Sequence, residues 1–300
     1  MKHASVLFLA LLTSVLPLLT PVLFMKNEVS AKVVSLSTND KLIAHAMGGI
    51  DGLSYTNSLE AFTRNYNAGY RVFEVDLIFT SDDKLVAKHD WSVAGRNAPL
   101  TYAEFMNSKI NGRYTPLSFE DVVLLLHKFK DIYIITDTKE TDRTNVEKAF
   151  RAIYNASAKI DSSVLDRVIP QIYNQGMYDW IKAVYNFKDI IYTLYQSSDS
   201  DEQVLDFVSA NNISKITMST SRFNEDFTAK LAKLNVITYV HTVNSTDDTE
   251  LYIGQGAYGF YSDFIIPSDD KQAKAHANSM SYRGLARCLL APIYGSRGVG

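Results

Sequence analysis

A parallel (β/α)8 barrel is the fold class that the sequence predicts, and three observations carry it. From residue 41 onward, short apolar runs rich in β-branched and aromatic residues alternate with stretches of helical periodicity. The alternation repeats eight times over about 225 residues, the size of a one-domain barrel. No Gly-x-Gly-x-x-Gly turn follows the first apolar run, which argues against a doubly wound open sheet built around a dinucleotide.

The elements follow in order. Leu42–Ala46 is the first predicted strand, and Asn57 opens the helix after it, with Glu60 three residues on at capping-box spacing. Val72–Phe79 is the second strand, nearly continuous in apolar residues as a strand buried on both faces requires. The interval to the third strand is out of rhythm. It holds an extended segment, Lys84–His89, and an insertion from Asp90 to Thr115 that carries Trp91, Tyr102, Phe105 and Tyr114. Long insertions after a barrel strand gather at the C-terminal face. Those aromatics therefore form either a lid or pocket wall, or a packed excursion with no ligand role. Ser118, with Asp121 three residues on, opens the next helix. The remaining strands are Ile132–Asp137, Val168–Ile172, Ile190–Leu194, Lys215–Met218, Val236–Thr242 and Gly259–Asp263. The helices between them are Asn145–Ala156, Met177–Tyr185, Asp201–Ala210, Glu225–Leu234 and Asp247–Gln255.

Composition narrows the function. The 300 residues contain 30 basic and 33 acidic side chains, a net charge of −3 that gives no footprint for nucleic acid. Cys288 is the single cysteine, so a disulfide framework within the chain and any cysteine-based zinc or redox site are excluded. A metal here must be held by oxygen or imidazole. The chain divides into three parts. Residues 1–31 read as a signal peptide or an N-terminal membrane anchor: Met1–His3 are basic, Ala4–Met25 carry no charge, and Val29-Ser30-Ala31 offers a cleavage site. Residues 38–267 form the barrel. Residues 268–300 form a basic tail, with Lys271, Lys274, Arg283, Arg287 and Arg297 and no acid after Asp270. The working part is thus expected outside the cytoplasm, secreted or anchored, with the N-terminal segment as a route to membrane association.

Polar residues in predicted strands locate the site. In Phe73-Glu74-Val75-Asp76-Leu77, Glu74 and Asp76 share one face because side chains alternate along a strand. Two carboxylates pointing together into a barrel repel each other and are costly to bury. Hard oxygen ligands resolve that cost around Mg²⁺ or Ca²⁺; an arginine or lysine partner is the alternative. His45 ends the first strand, His89 follows the second, and Asp137 and Lys139 end the third, so the barrel brings all of them to one mouth. This set suits phosphodiester cleavage. A metal on Glu74, Asp76 and Asp137 polarises a phosphate oxygen, His45 and His89 exchange protons with the attacking and leaving oxygens, and Lys139 adds positive charge.

These residues resemble the glycerophosphodiester phosphodiesterase family. Its His-Arg-Gly, Pro-Glu-Asn-Thr, Glu-x-Asp, Thr-x-Asp and His-Asp motifs appear here as His45-Ala46-Met47-Gly48, Tyr55-Thr56-Asn57-Ser58, Glu74-Val75-Asp76, Thr80-Ser81-Asp82 and Lys88-His89-Asp90. Its Glu-x-Lys appears as Asp137-Thr138-Lys139, its Trp-Thr-Val-Asn as His241-Thr242-Val243-Asn244, and its closing Gly-Val-Asp-Gly-Ile-Ile-Thr-Asp as Gly256 to Asp263. The resemblance implies two acid–base histidines, His45 and His89, and a divalent metal, Ca²⁺ or Mg²⁺, on Glu74, Asp76 and Asp137. Substrate contacts are expected from Lys139, His241, Asn57 and Trp91, and a small phosphodiester or lipid headgroup is the expected partner. Among the departures from the pattern, Ala46 replaces Arg, Thr56 replaces Glu, Asp137 shortens Glu, and His241 replaces Trp. Losing the Arg removes a bidentate phosphate contact, and His241 either restores part of that charge or fills the aromatic's space. Two alternatives stand beside a diesterase. One is a phospholipase C-like enzyme on intact lipid, favoured if Trp91 and Phe105 cluster on the rim. The other is a barrel without turnover that binds a phosphate ligand or a partner.

Overall fold

The computed structural model describes residues 41–92 and 98–267. The expected signal or anchor over 1–31 and the basic tail over 268–300 lie outside the described residues.

Eight parallel strands close into a barrel. They are β1 (Leu42–Ala44), β2 (Val72–Phe79), β4 (Tyr133–Asp137), β5 (Val168–Ile172), β6 (Ile191–Thr193), β7 (Lys215–Ser219), β8 (Ile237–His241) and β9 (Gly259–Ser262), with β3 (Leu85–Ala87) outside the ring. Each pairs with the next, and β1 closes the ring by pairing with both β2 and β9. Alternation sorts the side chains. Ile43, Val72, Ile135, Ile169, Ile191, Tyr239 and Tyr261 pack together inside the barrel, while Phe73, Val75 and Ile134 join the larger core under the helices. Burying each such side chain is worth roughly 1.5–3 kcal/mol. Since Val72 faces inward, Glu74 and Asp76 do as well, two and four residues further along β2.

Register then sets the height of the acids. Asp76 on β2 lies opposite Asp137 on β4, so two carboxylates from neighbouring strands stand side by side. β2 runs on past the ring and folds back through the Thr80–Asp83 turn into β3, which pairs antiparallel with Leu77–Phe79. This is the predicted extended segment. It returns the chain to the mouth, where the Lys88 amide donates to the Asp76 carbonyl (2.9 Å).

The helices are α1 (Leu59–Asn67), α2 (Tyr102–Asn107), α3 (Phe119–Lys128), α4 (Arg143–Ile160), α5 (Gly176–Val184), α6 (Asp201–Asn211), α7 (Glu225–Lys233) and α8 (Thr246–Gly254). Ser118 and Asp121 form the predicted capping box of α3. Three sequence expectations need correction. The first strand stops at Ala44 because Ala46 and Met47 turn left-handed (φ 48° and 67°), and the Ala46 amide leaves the ladder to bond Glu74 Oε2 at 2.6 Å. Helix α1 is capped by Ser58, one residue later than expected, because the Asn57 side chain is engaged on Asp76 and Glu60 reaches instead to Thr115. Helix α2 was not expected; Thr101 and Glu104 cap it reciprocally. Of the two readings of the insertion, its described residues favour the packed excursion: Phe105 and Tyr114 are buried. The Trp91 indole donates to the Phe79 carbonyl (3.0 Å) and its ring meets Phe105 edge-on.

Candidate active site

At the C-terminal ends of the strands lies a cavity of about 390 Å³ with two unlike halves. One half carries charge: His45, Glu74, Asp76, His89, Asp137 and Lys139, from β1, β2, the chain after β3, and β4. The other is neutral and rich in hydroxyls and rings: Gln171, Thr193, Tyr195, His241, Thr242 and Tyr261. The fold thus brings together the histidines, acids and lysine that the sequence singled out. Trp91 and Asn57 do not line the cavity. Trp91 is held at the back of the β2–β3 hairpin, and Asn57 sits behind Asp76.

Each charged group is held by a specific partner. Asn57 clamps Asp76 from both ends: its Nδ2 donates to Asp76 Oδ2 (2.7 Å), and its Oδ1 accepts the Asp76 amide (3.1 Å). Asn244 holds Asp263 the same way, with Nδ2 on Oδ2 (2.9 Å) and Oδ1 on the amide (2.8 Å). Asp263 in turn bonds His45 Nδ1 at 3.0 Å. His89 Nδ1 has its own carboxylate, Asp90, at 2.6 Å. In both histidines the carboxylate fixes Nδ1 as the donor, leaving Nε2 for chemistry. Asp137 accepts from the Tyr173 hydroxyl and, at Oδ1, from the Lys139 amide (3.2 Å). Lys139 Nζ bridges Asp76 Oδ1 (2.5 Å) and Asp137 Oδ2 (2.8 Å).

Electrostatics follow from this crowding. Burial pushes Glu74 up from the ordinary carboxylate range, and the Asp76 and Asp137 charges push it further, against His45 and Lys139. Burial opposes charge on His45, but the Asp263 hydrogen bond and the Glu74, Asp263 and Asp76 charges outweigh it and raise the imidazole to about 9. His241 goes the other way: burial, then the His45 charge, push it down to about 4. It is therefore neutral near pH 7, hydrogen-bonded through Nδ1 to Thr217 (2.9 Å). Of its two expected roles, this favours filling the aromatic's space.

The site fits a divalent cation. One oxygen each from Glu74, Asp76 and Asp137 lies within 4.8 Å of the others, and all three residues are buried. Glu74 Oε1 is buried with no hydrogen-bond partner. Three acids against one lysine leave surplus negative charge where burial makes it costly. All the donors are hard oxygens, the set that Mg²⁺ and Ca²⁺ take.

The sequence reading missed Tyr55, Gln171, Thr193, Tyr195, Tyr261 and the anchoring role of Asp263. Gln171 carried a signal, as the polar residue in the apolar run Val168–Ile172. Tyr55 carried none: its ring reaches the mouth through a backbone conformation (φ 57°) that no pattern announces.

Comparison with known proteins agrees with the geometry. The family described as the glycerophosphoryl diester phosphodiesterase family matches residues 49–266. No curated protein matches the chain significantly. Among solved structures, a glycerophosphodiester phosphodiesterase from Parabacteroides distasonis is 20% identical, with a TM-score of 0.60 over 80% of this chain and 98% of that one. One from Thermotoga maritima is 18% identical, with a TM-score of 0.55 over 80% and 97%. An Oleispira antarctica phosphodiesterase, solved in complex with the product sn-glycerol-3-phosphate, is 14% identical, with a TM-score of 0.61 over 80% and 97%. At these identities the structural likeness speaks for the barrel.

Proposed function

The chain belongs to the glycerophosphoryl diester phosphodiesterase family, a family of phosphoric diester hydrolases, and on that premise we propose an exported, metal-dependent enzyme that cleaves small glycerophosphodiesters with His45 and His89 as its acid–base pair. One observation carries the reading: two imidazoles, each tied through Nδ1 to a carboxylate, face one cavity with three buried acids. Glu74, Asp76 and Asp137 are the proposed ligands, and a Ca²⁺ or Mg²⁺ bound there supplies Lewis-acid polarisation of a non-bridging phosphate oxygen. Asp263 and Asp90 present the two Nε2 atoms. One imidazole takes a proton from the attacking hydroxyl, and the other gives one to the leaving alkoxide. Lys139 holds its ammonium beside the phosphate position, and Asn57 contributes by fixing Asp76.

Ala46 loses the phosphate-binding side chain, but its amide still anchors Glu74. The cavity volume lies at the small end for a ligand site, in keeping with a headgroup-sized diester. The product bound to the Oleispira antarctica enzyme points the same way. The Trp91 ring meets Phe105 edge-on and its indole donates to the Phe79 carbonyl, which speaks against a rim built from them for intact phospholipid. The charge-free run Ala4–Met25 supports action outside the cytoplasm. The test is release of glycerol phosphate from glycerophosphoethanolamine. EDTA is expected to abolish it and Ca²⁺ or Mg²⁺ to restore it; no hydrolysis with either metal sinks the reading.

A further inference from the structure

Where the motif that this chain resembles has proline, the chain has Tyr55, and both its backbone and its ring are unusual. A left-handed φ of 57° is uncommon for an aromatic residue and persists only where the surroundings over-determine it. Here they do. Two residues on, the Asn57 amide donates to the Ala46 carbonyl (3.2 Å) while its side chain clamps Asp76. The segment is thus pinned beside His45 at one end and on a carboxylate at the other. The result is a phenol ring set between the two imidazoles. Its centroid is 4.8 Å from that of His45 and 4.6 Å from that of His89, with interplanar angles of 78° and 61°. Tyr55 lines the cavity and is 44% exposed, so it faces both the substrate space and solvent.

A general acid must reach the leaving oxygen. Because Tyr55 packs against both imidazoles, the substituent on that oxygen passes its ring whichever histidine is the acid. Tyr195, across the cavity, meets the rings of Tyr173 and His241 instead. We infer that Tyr55 is the specificity-determining wall of the site: its ring admits alcohols that are slender next to the ester oxygen and excludes ring alcohols. This rests on the phosphodiesterase reading of the same cavity.

The experiment compares kcat/KM for glycerophosphoethanolamine and glycerophosphoinositol in the full chain with metal present. The wild type prefers the ethanolamine ester. Tyr55→Ala raises the relative rate on the inositol ester by ~10-fold or more, the scale of discrimination by a few methylene groups in a pocket. Tyr55→Asn, which tolerates the left-handed backbone, gives the same shift and so separates loss of the ring from relief of strain. Tyr55→Phe keeps the wild-type ratio. An unchanged ratio in both the Ala and Asn variants overturns the wall, as does a Phe variant that shifts as far as Ala. A wild type that cleaves neither ester overturns the phosphodiesterase reading and the inference with it, a result distinct from active variants with an unaltered ratio.

Discussion

Two ion-paired lysines sit at opposite ends of this barrel in opposite company. Lys215, at the start of β7, is 4% exposed; its Nζ is 2.5 Å from Asp189, one charge against one. Lys139, just past the end of β4, shares its Nζ between Asp76 and Asp137, with Glu74 behind them and one Glu74 oxygen unpartnered. The first pair is closed and balanced. The second is a surplus of negative charge around a single ammonium, maintained at the end of the barrel where catalytic groups gather. An ion-paired lysine alone therefore does not mark a site here. The imbalance does.

The contrast can be broken by mutation. Glu74→Gln removes a proposed ligand and should lower diesterase kcat by ~10³-fold, the upper scale for deleting one stabilising group at a reacting phosphate or acyl centre. In metal-free protein the same change should not lower thermal stability, because burial and the Asp76 charge favour the protonated carboxyl of Glu74, which the glutamine amide replaces at the same size. A Gln variant that melts earlier in EDTA would mean that Glu74 is structural. Lys215→Ala should do the reverse. Leaving Asp189 without its partner costs about 3 kcal/mol, measured by urea unfolding, while kcat/KM stays at the wild-type value. If hydrolysis falls as steeply as stability does, the two ends of the barrel are not separable in the way their charges indicate.

The sequence carried the barrel because each strand run and helix start follows from local chemistry. Val72–Phe79 had to be buried on both faces, and Ser118 with Asp121 could only open a helix. It carried the acidic cluster for a related reason: i, i+2 spacing in strands fixes which side chains share a face, and Asp76 and Asp137 then meet through register. What it could not carry depends on ring closure and loop path. Asp263 reaches His45 only because β9 pairs with β1. Asn57 looked like a cap and is instead a clamp on a strand 19 positions away. Trp91 looked like a pocket wall, but its indole found a carbonyl on its own hairpin. The short helix α2 was hidden inside an insertion read as loop.

The finest test of the contrast is the pH dependence of stability, with and without metal. In the metal-free protein, burial disfavours charge on His45, but the Asp263 bond and the surrounding carboxylates raise it from 6.5 to about 9. Glu74 is also raised, by burial and by Asp76. In both cases the folded state keeps a proton that the unfolded chain has given up. Stability must then fall as pH rises wherever the folded state binds more protons. For His45 the contribution is whole below pH 6.5 and is lost as pH climbs through about 9. Between pH 6.5 and 7.5 this amounts to about 1 kcal/mol, since one proton per pH unit is worth at most ~1.4 kcal/mol. A divalent ion on Glu74, Asp76 and Asp137 cancels much of the field that holds both protons. The slope should therefore flatten in Ca²⁺ or Mg²⁺ and persist in EDTA. Lys215→Ala, far from these groups, should lower the whole curve without altering its slope. Urea midpoints at the two pH values, in EDTA and in metal, give the answer. Equal slopes in both conditions would show that the surplus charge at the mouth is not where the cation binds.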